Sequence, residues 1–328
     1  MEALAHEVAC LRRAFPGSVA WGVSARRPRR FSWRRGFGCT PKMQLVFRAV
    51  TGCLQRLFDV NHLFGGLNDW FHLKALRNRP ALLTMAVEDG FDGGDPHLLS
   101  KIDRFVVEWP EGRETLEKRG IAANQMSFIP PPVDLRRFRP AAATDGPFTL
   151  LFASSPDRAD WLHGRGVALL LDVAERRPMV RFRLLWRPWG NSCSTVESWI
   201  KLRGLSNVEL VSGCFANMAE QYHAAHATIL PFVDRARCKP APNSLIEGLA
   251  CGRPAIVTHQ VGLASLVAEA GAGIRCAADA DAIADSIDRL QCDWTTASCR
   301  ARELAEQRFA IGDFIASYAR LYEELTHA

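Results

Sequence analysis

The chain has 328 residues, of which 48% are hydrophobic and 23% charged, a composition typical of a globular protein of about two domains and not of a disordered one. No apolar run approaches the roughly 20 residues that a membrane-spanning helix needs. The amphipathic start lacks the apolar core of a signal peptide, so we expect a cytoplasmic protein. The ten cysteines form no CxxC pair. They have no histidine partners at metal-ligand spacing either, so we expect small buried apolar residues and no metal site.

The net charge of +6 is unevenly distributed. Phe31 and Trp33 stand within a short segment that holds six arginines: Arg26, Arg27, Arg29, Arg30, Arg34 and Arg35. Such a segment suits an anionic surface, so it predicts peripheral contact with the inner face of a membrane or with a phosphorylated lipid. A solvated loop with no partner fits it equally well. We expect no nucleic-acid partner, because no recognisable motif accompanies the charge.

In the first half of the chain, apolar strand-like runs alternate with helical spacing, which predicts an α/β fold with mostly parallel sheets. The first helix ends at Pro16 and Gly17, and a later one begins at Pro110 and ends at Gly120. The predicted helices are 4–15, 43–58, a segment that ends near 79, and 110–120. The predicted strands are 18–23, 59–64, 81–87, 103–108 and 126–129.

A stretch at 140–147 contains two prolines and few groups worth burying, so it predicts a linker between domains at 1–140 and 148–310. The second half repeats the alternation. Its predicted strands are 148–153, 180–186, 208–211, 227–232 and 255–258, and its predicted helices are 166–176, 195–202, 218–225, 242–250 and 278–290. The last helix, at 311–328, is expected to cross back to the first domain, with ordinary packing in the second as the alternative. Ligands of open α/β sheets bind at the carboxyl ends of strands, and domain clefts are frequent ligand sites.

The segment 239–254 reads KPAPNSLIEGLACGRP and is the richest in candidate chemistry. Asn243 or Ser244 can cap the predicted helix, and a helix N-terminus suits a phosphate. Glu247 follows one turn later, where its carboxylate can accept hydrogen bonds from a vicinal diol such as that of ribose. A surface helix with a solvated glutamate would show the same spacing.

A second candidate is the loop 154–166, which the pattern places between a strand and a helix. Arg158 and Arg165 stand in it beside Gly164 and Gly166. Two guanidinium groups near flexible backbone can clamp a pyrophosphate. Either arginine could equally be an ordinary surface residue.

Several segments in order resemble glycosyltransferase family 4, the glycosyl transferases group 1, which has the GT-B fold. The most specific is PNSLIEGLACGRPAIVT, and the others are FIPPPVDLRRFRP, RGVALLLDVA, NVELVSG, YHAAHATILPF and FIASYARLYEEL. The first half matches more weakly, through DVNHLFG, RPALLT and IDRFVV. The resemblance implies two Rossmann-like domains that face a cleft, with the acceptor on the N-terminal one and a nucleotide-diphosphate sugar on the C-terminal one.

The resemblance also implies roles for individual residues. Glu247 matches the glutamate that holds the donor ribose, and Arg158 and Arg165 match the basic pair on the diphosphate. Members of the family usually retain the anomeric configuration and need no metal or other cofactor. Arginines and a helix dipole would then stabilise the departing diphosphate. The backbone that would face the sugar and phosphates is at Asn243, Ser244 and Leu245, and the loops that would hold the base are near Arg187 and at Gly213 and Cys214.

Three departures from the family pattern stand out. Lys239 occupies the place of a glutamate eight residues before Glu247, and it cannot accept hydrogen bonds as a carboxylate does. Ala86 stands where many relatives have a histidine, with Glu88 and Asp89 just beyond; His62 and His72 are other candidates for that side. The family's opening strand and glycine-rich turn have no counterpart, so we expect a shortened N-terminal domain.

Two functions follow from the resemblance. The first is a glycosyltransferase that moves a sugar from a nucleotide-diphosphate sugar to a glycan, lipid-linked or small-molecule acceptor. The second is a catalytically impaired relative that binds a nucleotide sugar or serves as a scaffold, which the residues at 239 and 86 favour. A dinucleotide-binding oxidoreductase is not expected, because no GxGxxG follows a strand.

Overall fold

The computed structural model describes residues 4–24, 37–38, 41–65, 70–77, 80–86, 96–142, 145–188 and 190–327. Contacts divide the chain into two compact units, one made of residues 1–132 and 311–328 and the other of residues 133–310. Within the described ranges, each helix is too short or too polar to be a membrane span.

The first unit alternates helices with short strands. Its helices before the second unit are α1 (Ala5–Ala14), α2 (Pro41–Leu54), α3 (Trp70–Ala75), α4 (Pro96–Leu99) and α5 (Gly112–Glu117). Its strands are β1 (Val23–Ser24), β2 (Phe37–Gly38), β3 (Asn61–Gly65), β4 (Ala81–Met85), β5 (Arg104–Val107) and β6 (Met126–Phe128). Strands β3 to β6 form a parallel sheet in that order, and β1 and β2 form a separate parallel pair. Every residue of β4 is buried, as expected for an inner parallel strand covered on both faces.

The second unit is a doubly wound α/β domain. Its strands are β7 (Thr149–Phe152), β8 (Arg181–Trp186), β9 (Val208–Ser212), β10 (Ala227–Leu230), β11 (Ala255–Thr258) and β12 (Gly273–Cys276). Its helices are α6 (Val167–Arg176), α7 (Ser192–Arg203), α8 (Met218–His223), α9 (Asn243–Ala250), α10 (Ala264–Glu269), α11 (Ala280–Cys292) and α12 (Trp294–Arg308). All six strands are parallel in the order β12-β11-β10-β7-β8-β9, so the order reverses between β7 and β10.

The last helix, α13 (Ile311–His327), belongs to the first unit by its contacts. Its apolar face consists of residues at helical spacing, and it packs with Cys10 and Leu11 of α1, Leu82 of β4 and Val106 of β5 in one buried cluster. The residues of that face recur every three or four positions: Phe314, Tyr318, Leu321 and Leu325.

A chain of hydrogen bonds joins α13 to two strands of the first sheet. His62 Nδ1 lies 2.7 Å from the Tyr322 hydroxyl, and His62 Nε2 lies 2.7 Å from Thr84 Oγ1. The Thr84 hydroxyl in turn lies 2.7 Å from that of Tyr318. Burial lowers the pKa of His62 to about 3, so the imidazole is neutral and can link a donor to an acceptor.

Most predicted elements are present with shifted ends, but some predictions were wrong. The strand predicted at 18–23 is reduced to Val23–Ser24, and α10, β12 and α12 were not predicted. Residues 133–140, predicted to end the first domain, group with the second unit. Their contacts explain this, because the Val133 amide donates to the Phe309 carbonyl and Arg302 donates to that of Phe138.

The described cysteines are not uniformly buried, which corrects the sequence-based expectation. Cys10, Cys238, Cys251 and Cys276 are buried, and all the described cysteines are free thiols. Burial raises the pKa of the Cys238 and Cys251 thiols to about 12, so they behave as small apolar groups. The exposed ones are Cys53, Cys214, Cys292 and Cys299.

Candidate functional site

The carboxyl ends of the second sheet gather the predicted donor-site segments. In a doubly wound sheet, the strand order reverses at a crevice where ligands bind, and here it reverses between β7 and β10. The loop that follows β7 carries Arg158 and Arg165, and the segment that follows β10 leads into α9 and Glu247. Topology alone therefore places the two strongest sequence candidates on either side of the same crevice.

The loop after β7 is held closely against the segment after β10. Gly166 has φ +69, and a Cβ there would lie 1.7 Å from the Pro231 carbonyl oxygen, so only glycine allows this approach. The Gly164 carbonyl accepts hydrogen bonds from the backbone amides of Val233 and Asp234, at 2.9 and 3.1 Å. The two glycines that flank Arg165 thus fix the loop that presents it.

Arg165 is a cation without a hydrogen-bond partner among the described residues. Its Nε is fully buried and unpaired, and its guanidinium carbon lies 5.4 Å from the centre of the Phe232 ring. Burial lowers the pKa of Arg165, and the charge of nearby Arg187 lowers it further, against the opposing effects of Cys238 and Asp157. Two cations held close together, one of them partly desolvated, form a site suited to an anion.

Arg158 behaves differently from Arg165, although the sequence pairs them. It donates to both carboxylate oxygens of Asp160, at 2.9 and 2.7 Å, and 62% of its side chain is exposed. The hydrogen bond and the charge of Asp160 raise the pKa of Arg158. In this arrangement Arg158 forms a surface ion pair with Asp160, and among the described residues it has no hydrogen bond or ion pair with another candidate residue.

The start of α9 meets the loop after β7 directly. The Ser154 and Ser244 hydroxyls lie 2.8 Å apart, although 90 positions separate them in the chain. The helix N-cap is Pro242, without a side-chain hydrogen bond, so the expectation that Asn243 or Ser244 caps the helix was wrong. The reason is that the restricted φ of Pro242 is compatible with the start of the helix. The Asn243 side chain accepts from Lys239, and the Ser244 hydroxyl bonds to that of Ser154.

Residues spaced by four line one face at the start of α9. Lys239 Nζ donates to Asn243 Oδ1 at 3.3 Å, one turn before Glu247. The Tyr222 hydroxyl on α8 donates to Glu247 Oε2 at 2.9 Å. Leu245, in contrast, is fully buried, so it can offer only its backbone. The contact of Tyr222 with Glu247 was not predicted from the sequence. The only feature of the sequence that distinguishes Tyr222 is that it is the single tyrosine of the second unit.

The predicted base-binding residues follow β8 and β9. Arg187 is exposed just beyond β8, and its amide donates to the Ser155 hydroxyl at 3.3 Å. The Gly213 amide donates to the Trp186 carbonyl at 2.8 Å, which extends the pairing of β8 and β9 by one residue. Cys214 is exposed beside it. All three positions therefore lie along the same carboxyl edge as the β7 loop.

A buried arginine fastens α9 to the segment before β7. Arg253 is 1% exposed and donates to four backbone carbonyls. Two of them belong to Ala141 and Ala142, at 3.1 and 3.0 Å, and two to Tyr222 and His223, at 3.1 and 3.3 Å. This residue has a structural role, because its own buried guanidinium is satisfied by carbonyl groups of two separate segments, which it joins.

The first-unit candidates are described only in part. Ala86 is buried directly after β4, and His62 belongs to the hydrogen-bond chain that reaches α13. The side chain of His72 lies outside the described residues, as do Glu88 and Asp89 and the basic segment 26–35. Among the residues that the structure describes, no group of three or more His, Cys, Asp or Glu could hold a metal ion.

Comparisons with known proteins agree with this geometry. Residues 157–293 match the family model described as "Glycosyl transferases group 1". A curated relative, the D-inositol 3-phosphate glycosyltransferase of Nocardiopsis dassonvillei, is 27% identical over 203 residues. That match covers 55% of this chain and 46% of the relative, so the chain spans about half of that protein's length.

Solved structures show the same fold. The sucrose-phosphate synthase of Thermosynechococcus elongatus superposes with a TM-score of 0.71 at 19% identity, over 93% of this chain and 87% of that one. HepE of Anabaena, solved in complex with UDP and with UDP-glucose, superposes with a TM-score of 0.70 at 15% identity, over 89% of this chain and 86% of that one. The predicted resemblance is thus confirmed: residues 157–293 are similar to the glycosyl transferases group 1, and the two larger parallel sheets of the chain are those of the GT-B fold.

Proposed function

We propose that the protein is a glycosyltransferase that moves a sugar from a nucleotide-diphosphate sugar to a glycan, lipid-linked or small-molecule acceptor. The family match over residues 157–293 supports this proposal, as does the similarity to HepE, which was solved with UDP and UDP-glucose. The observation that carries it is the guanidinium of Arg165, which has a buried Nε without a hydrogen-bond partner and lies near Arg187 at the crevice of the second sheet.

The donor diphosphate would bind between Arg165 and the start of α9. The hydrogen bond between Ser154 and Ser244 joins the start of the loop that carries Arg165 to the first turn of α9. The backbone at Asn243, Ser244 and Leu245 adds the partial positive charge of a helix N-terminus, which favours anions. Arg158, which is paired with Asp160 and exposed, would join only by exchanging that partner for a phosphate.

Glu247 would accept hydrogen bonds from the ribose hydroxyls, since a carboxylate offers acceptors to both members of a vicinal diol. Gly213 and Cys214, with the loop at Arg187, would flank the base, because these positions follow the neighbouring strands β8 and β9. The order base, ribose, diphosphate then runs along the carboxyl edge of the sheet.

We further propose that transfer occurs with retention of anomeric configuration and without a metal or other cofactor. The charge that develops on the leaving diphosphate would be stabilised by the arginines and the helix N-terminus, in a site that excludes part of the water. This division of labour leaves the acceptor to the first unit, and the basic segment 26–35 would bring a lipid-linked acceptor or a membrane surface to it.

A second candidate function is nucleotide-sugar binding without transfer, as in a scaffold or regulatory relative. Lys239 favours it, because an ammonium replaces a carboxylate near the sugar and donates to Asn243 Oδ1 at 3.3 Å. The lysine ammonium is a donor only, so it cannot orient sugar hydroxyls by accepting their hydrogen bonds.

Two measurements separate these functions. Calorimetric titration with UDP, GDP and ADP tests nucleotide binding, which both functions require. Incubation with UDP-glucose, UDP-N-acetylglucosamine and GDP-mannose, with D-inositol 3-phosphate and lipid extracts as acceptors, tests transfer. Binding with neither transfer nor donor hydrolysis would favour the scaffold, and absence of binding would refute both. The anomeric proton coupling of any product decides between retention and inversion.

A further inference from the structure

We propose that Tyr222 is a positioning residue for the nucleotide ribose: its hydroxyl holds the Glu247 carboxylate in the orientation that accepts the ribose hydroxyls. This inference rests on the proposed function, because it assigns Glu247 to the ribose. It adds a residue from a different helix, α8. It also predicts that loss of the Tyr222 hydroxyl weakens only the contacts to the ribose hydroxyls of the ligand.

The contact is direct and its donor is fixed. The Tyr222 hydroxyl lies 2.9 Å from Glu247 Oε2, and Tyr222 is fully buried. The ring of Tyr222 meets that of Phe138 edge to face, with centroids 6.1 Å apart and an angle of 70°. At its other end, the Tyr222 carbonyl accepts from Arg253 Nε at 3.1 Å. Because the backbone and the ring of Tyr222 are both held, the position of its hydroxyl beside Glu247 is fixed.

The direction of the hydrogen bond is also fixed. Burial raises the pKa of Tyr222 well above its ordinary value, and the charge of Glu247 adds to this effect. The phenol therefore stays protonated and donates, while an ionised carboxylate can only accept. A hydrogen bond to a charged acceptor is shorter and stronger than one between neutral groups.

Fixing the carboxylate in advance matters because a glutamate side chain rotates about three bonds. Ordering such a side chain on binding costs free energy, which is avoided when the fold has already ordered it. Two parallel contacts to a diol need the carboxylate plane to be set as well as its position. Tyr222 supplies that constraint from outside α9, where Glu247 lies in the second turn.

The test is a cycle that combines a protein change with a ligand change. UDP, GDP and ADP are first titrated into the wild-type protein by calorimetry, and the tightest binder is paired with its 2′,3′-dideoxy analogue. Tyr222→Phe removes one hydroxyl and keeps the ring. We expect it to weaken binding of the normal nucleotide about tenfold (about 1.4 kcal/mol) and to change binding of the dideoxy analogue less than about twofold, because the analogue has no hydroxyls for Glu247.

Tyr318→Phe is the matched control. It also removes a buried tyrosine hydroxyl, the one bonded to Thr84 in the first unit, and it should leave both affinities unchanged. Glu247→Asp is a second route that leaves the tyrosine in place: the shorter carboxylate moves out of reach of the hydroxyl, and the same discrimination should appear.

The outcomes are distinct. If Tyr222→Phe weakens the normal and dideoxy nucleotides equally, or if it leaves binding of the normal one unchanged, the positioning role is wrong while nucleotide binding by the wild type stands. If the wild type binds no nucleotide diphosphate, the proposed function fails first and the inference fails with it.

Discussion

Replacing Arg165 by methionine should make the ligand-free protein more stable and at the same time remove nucleotide binding. The reason is that the guanidinium has a buried Nε without a partner and lies near Arg187, so its charge is a cost until an anion arrives. Methionine has a similar length and no charge, and flexible thioethers fill irregular space. If the site binds a diphosphate as proposed, part of the stability of the ligand-free protein is given up for binding, and the substitution recovers it.

The magnitude can be worked from the contacts. An unsatisfied buried polar group costs about 1–3 kcal/mol. The interaction with the Phe232 ring, lost on substitution, offsets about 0.5–2 kcal/mol of that. Because part of the Arg165 side chain still reaches solvent, we expect a net gain near 1 kcal/mol. For a unit of this size, that corresponds to an increase of about 2–4 °C in melting temperature.

The assay is thermal melting with and without nucleotide, followed by calorimetry. Nucleotide at about 100 times its dissociation constant should stabilise the wild type by about 2.7 kcal/mol. In Arg165→Met this stabilisation should fall below about 1 kcal/mol at the same nucleotide concentration, since loss of one partner of a buried charged contact costs about 2 kcal/mol or more, at least roughly thirtyfold in affinity. Arg158→Met is the control: that arginine is exposed and already paired with Asp160, so its loss should leave the ligand-free melt unchanged. A destabilised Arg165→Met protein that still binds nucleotide normally would refute the reasoning.

Three further predictions concern stability. The pKa of His62 is about 3 in the folded protein and about 6.5 in the unfolded chain, so its contribution to the free energy of unfolding is present above pH 6.5 and is lost as the pH falls. Between pH 6.5 and pH 5, urea unfolding should show that the wild type loses about 2 kcal/mol more of its free energy of unfolding than His62→Gln does. Gly166→Ala places a Cβ 1.7 Å from the Pro231 carbonyl and should cost about 3 kcal/mol or more, whereas Gly204→Ala, at φ +63 with nothing within 4 Å, should cost about 1 kcal/mol in the same denaturation experiment; equal costs would show that the Pro231 contact is unimportant. Arg253→Met should lower the unfolding free energy by about 3–5 kcal/mol, because four carbonyl groups lose a charged donor, and a loss below 1 kcal/mol would contradict that structural role.

The sequence predicts the strands of the second unit well because inner parallel strands are continuous apolar runs. Strand β11 was predicted with its observed bounds, and β7 and β8 within about one residue at each end. Strand β9, at one edge of the sheet, was also predicted, because Val208, Leu210 and Val211 keep it rich in aliphatic residues. The same reasoning explains the failure at β12, an edge strand in which Cys276 is the only buried residue. A short run with a glycine at its start and an arginine in its middle gives no pattern that burial would enforce.

Helix α12 escaped prediction for a different reason. Its buried side is made mainly of small residues, Ala297, Ala301 and Ala305, together with Leu304. Alanine is common on both sides of helices, so a stripe of alanines gives weak apolar periodicity. Once α12 is folded, Arg302 donates to the carbonyls of Phe138 and Ala250, at 2.8 Å each, which fastens it to α9 and to the segment that opens the second unit.

The candidate site shows where sequence reasoning stops. The motif at 239–254 names Glu247, and the loop at 154–166 names Arg165, but nothing in either segment shows which of its side chains turns inward. Arg158 and Arg165 have equal standing as residues of one loop, and only the fold separates them. The loop places one of them over Phe232 with a buried nitrogen and leaves the other paired with Asp160 in solvent.

Contacts between residues that are far apart in the chain account for the different surroundings of Arg158 and Arg165. These contacts require glycine at position 166, and the local sequence does not show why. Gly166 allows the loop after β7 to rest on the Pro231 carbonyl, at a distance that any side chain would block. The same two segments meet at Ser154 and Ser244, whose hydroxyls lie 2.8 Å apart, and at Arg165, which lies over the ring of Phe232. If a diphosphate binds here as proposed, its site is a property of the two loops together, because the fold and not the local motif places Arg165 over Phe232 and leaves Arg158 paired with Asp160 in solvent.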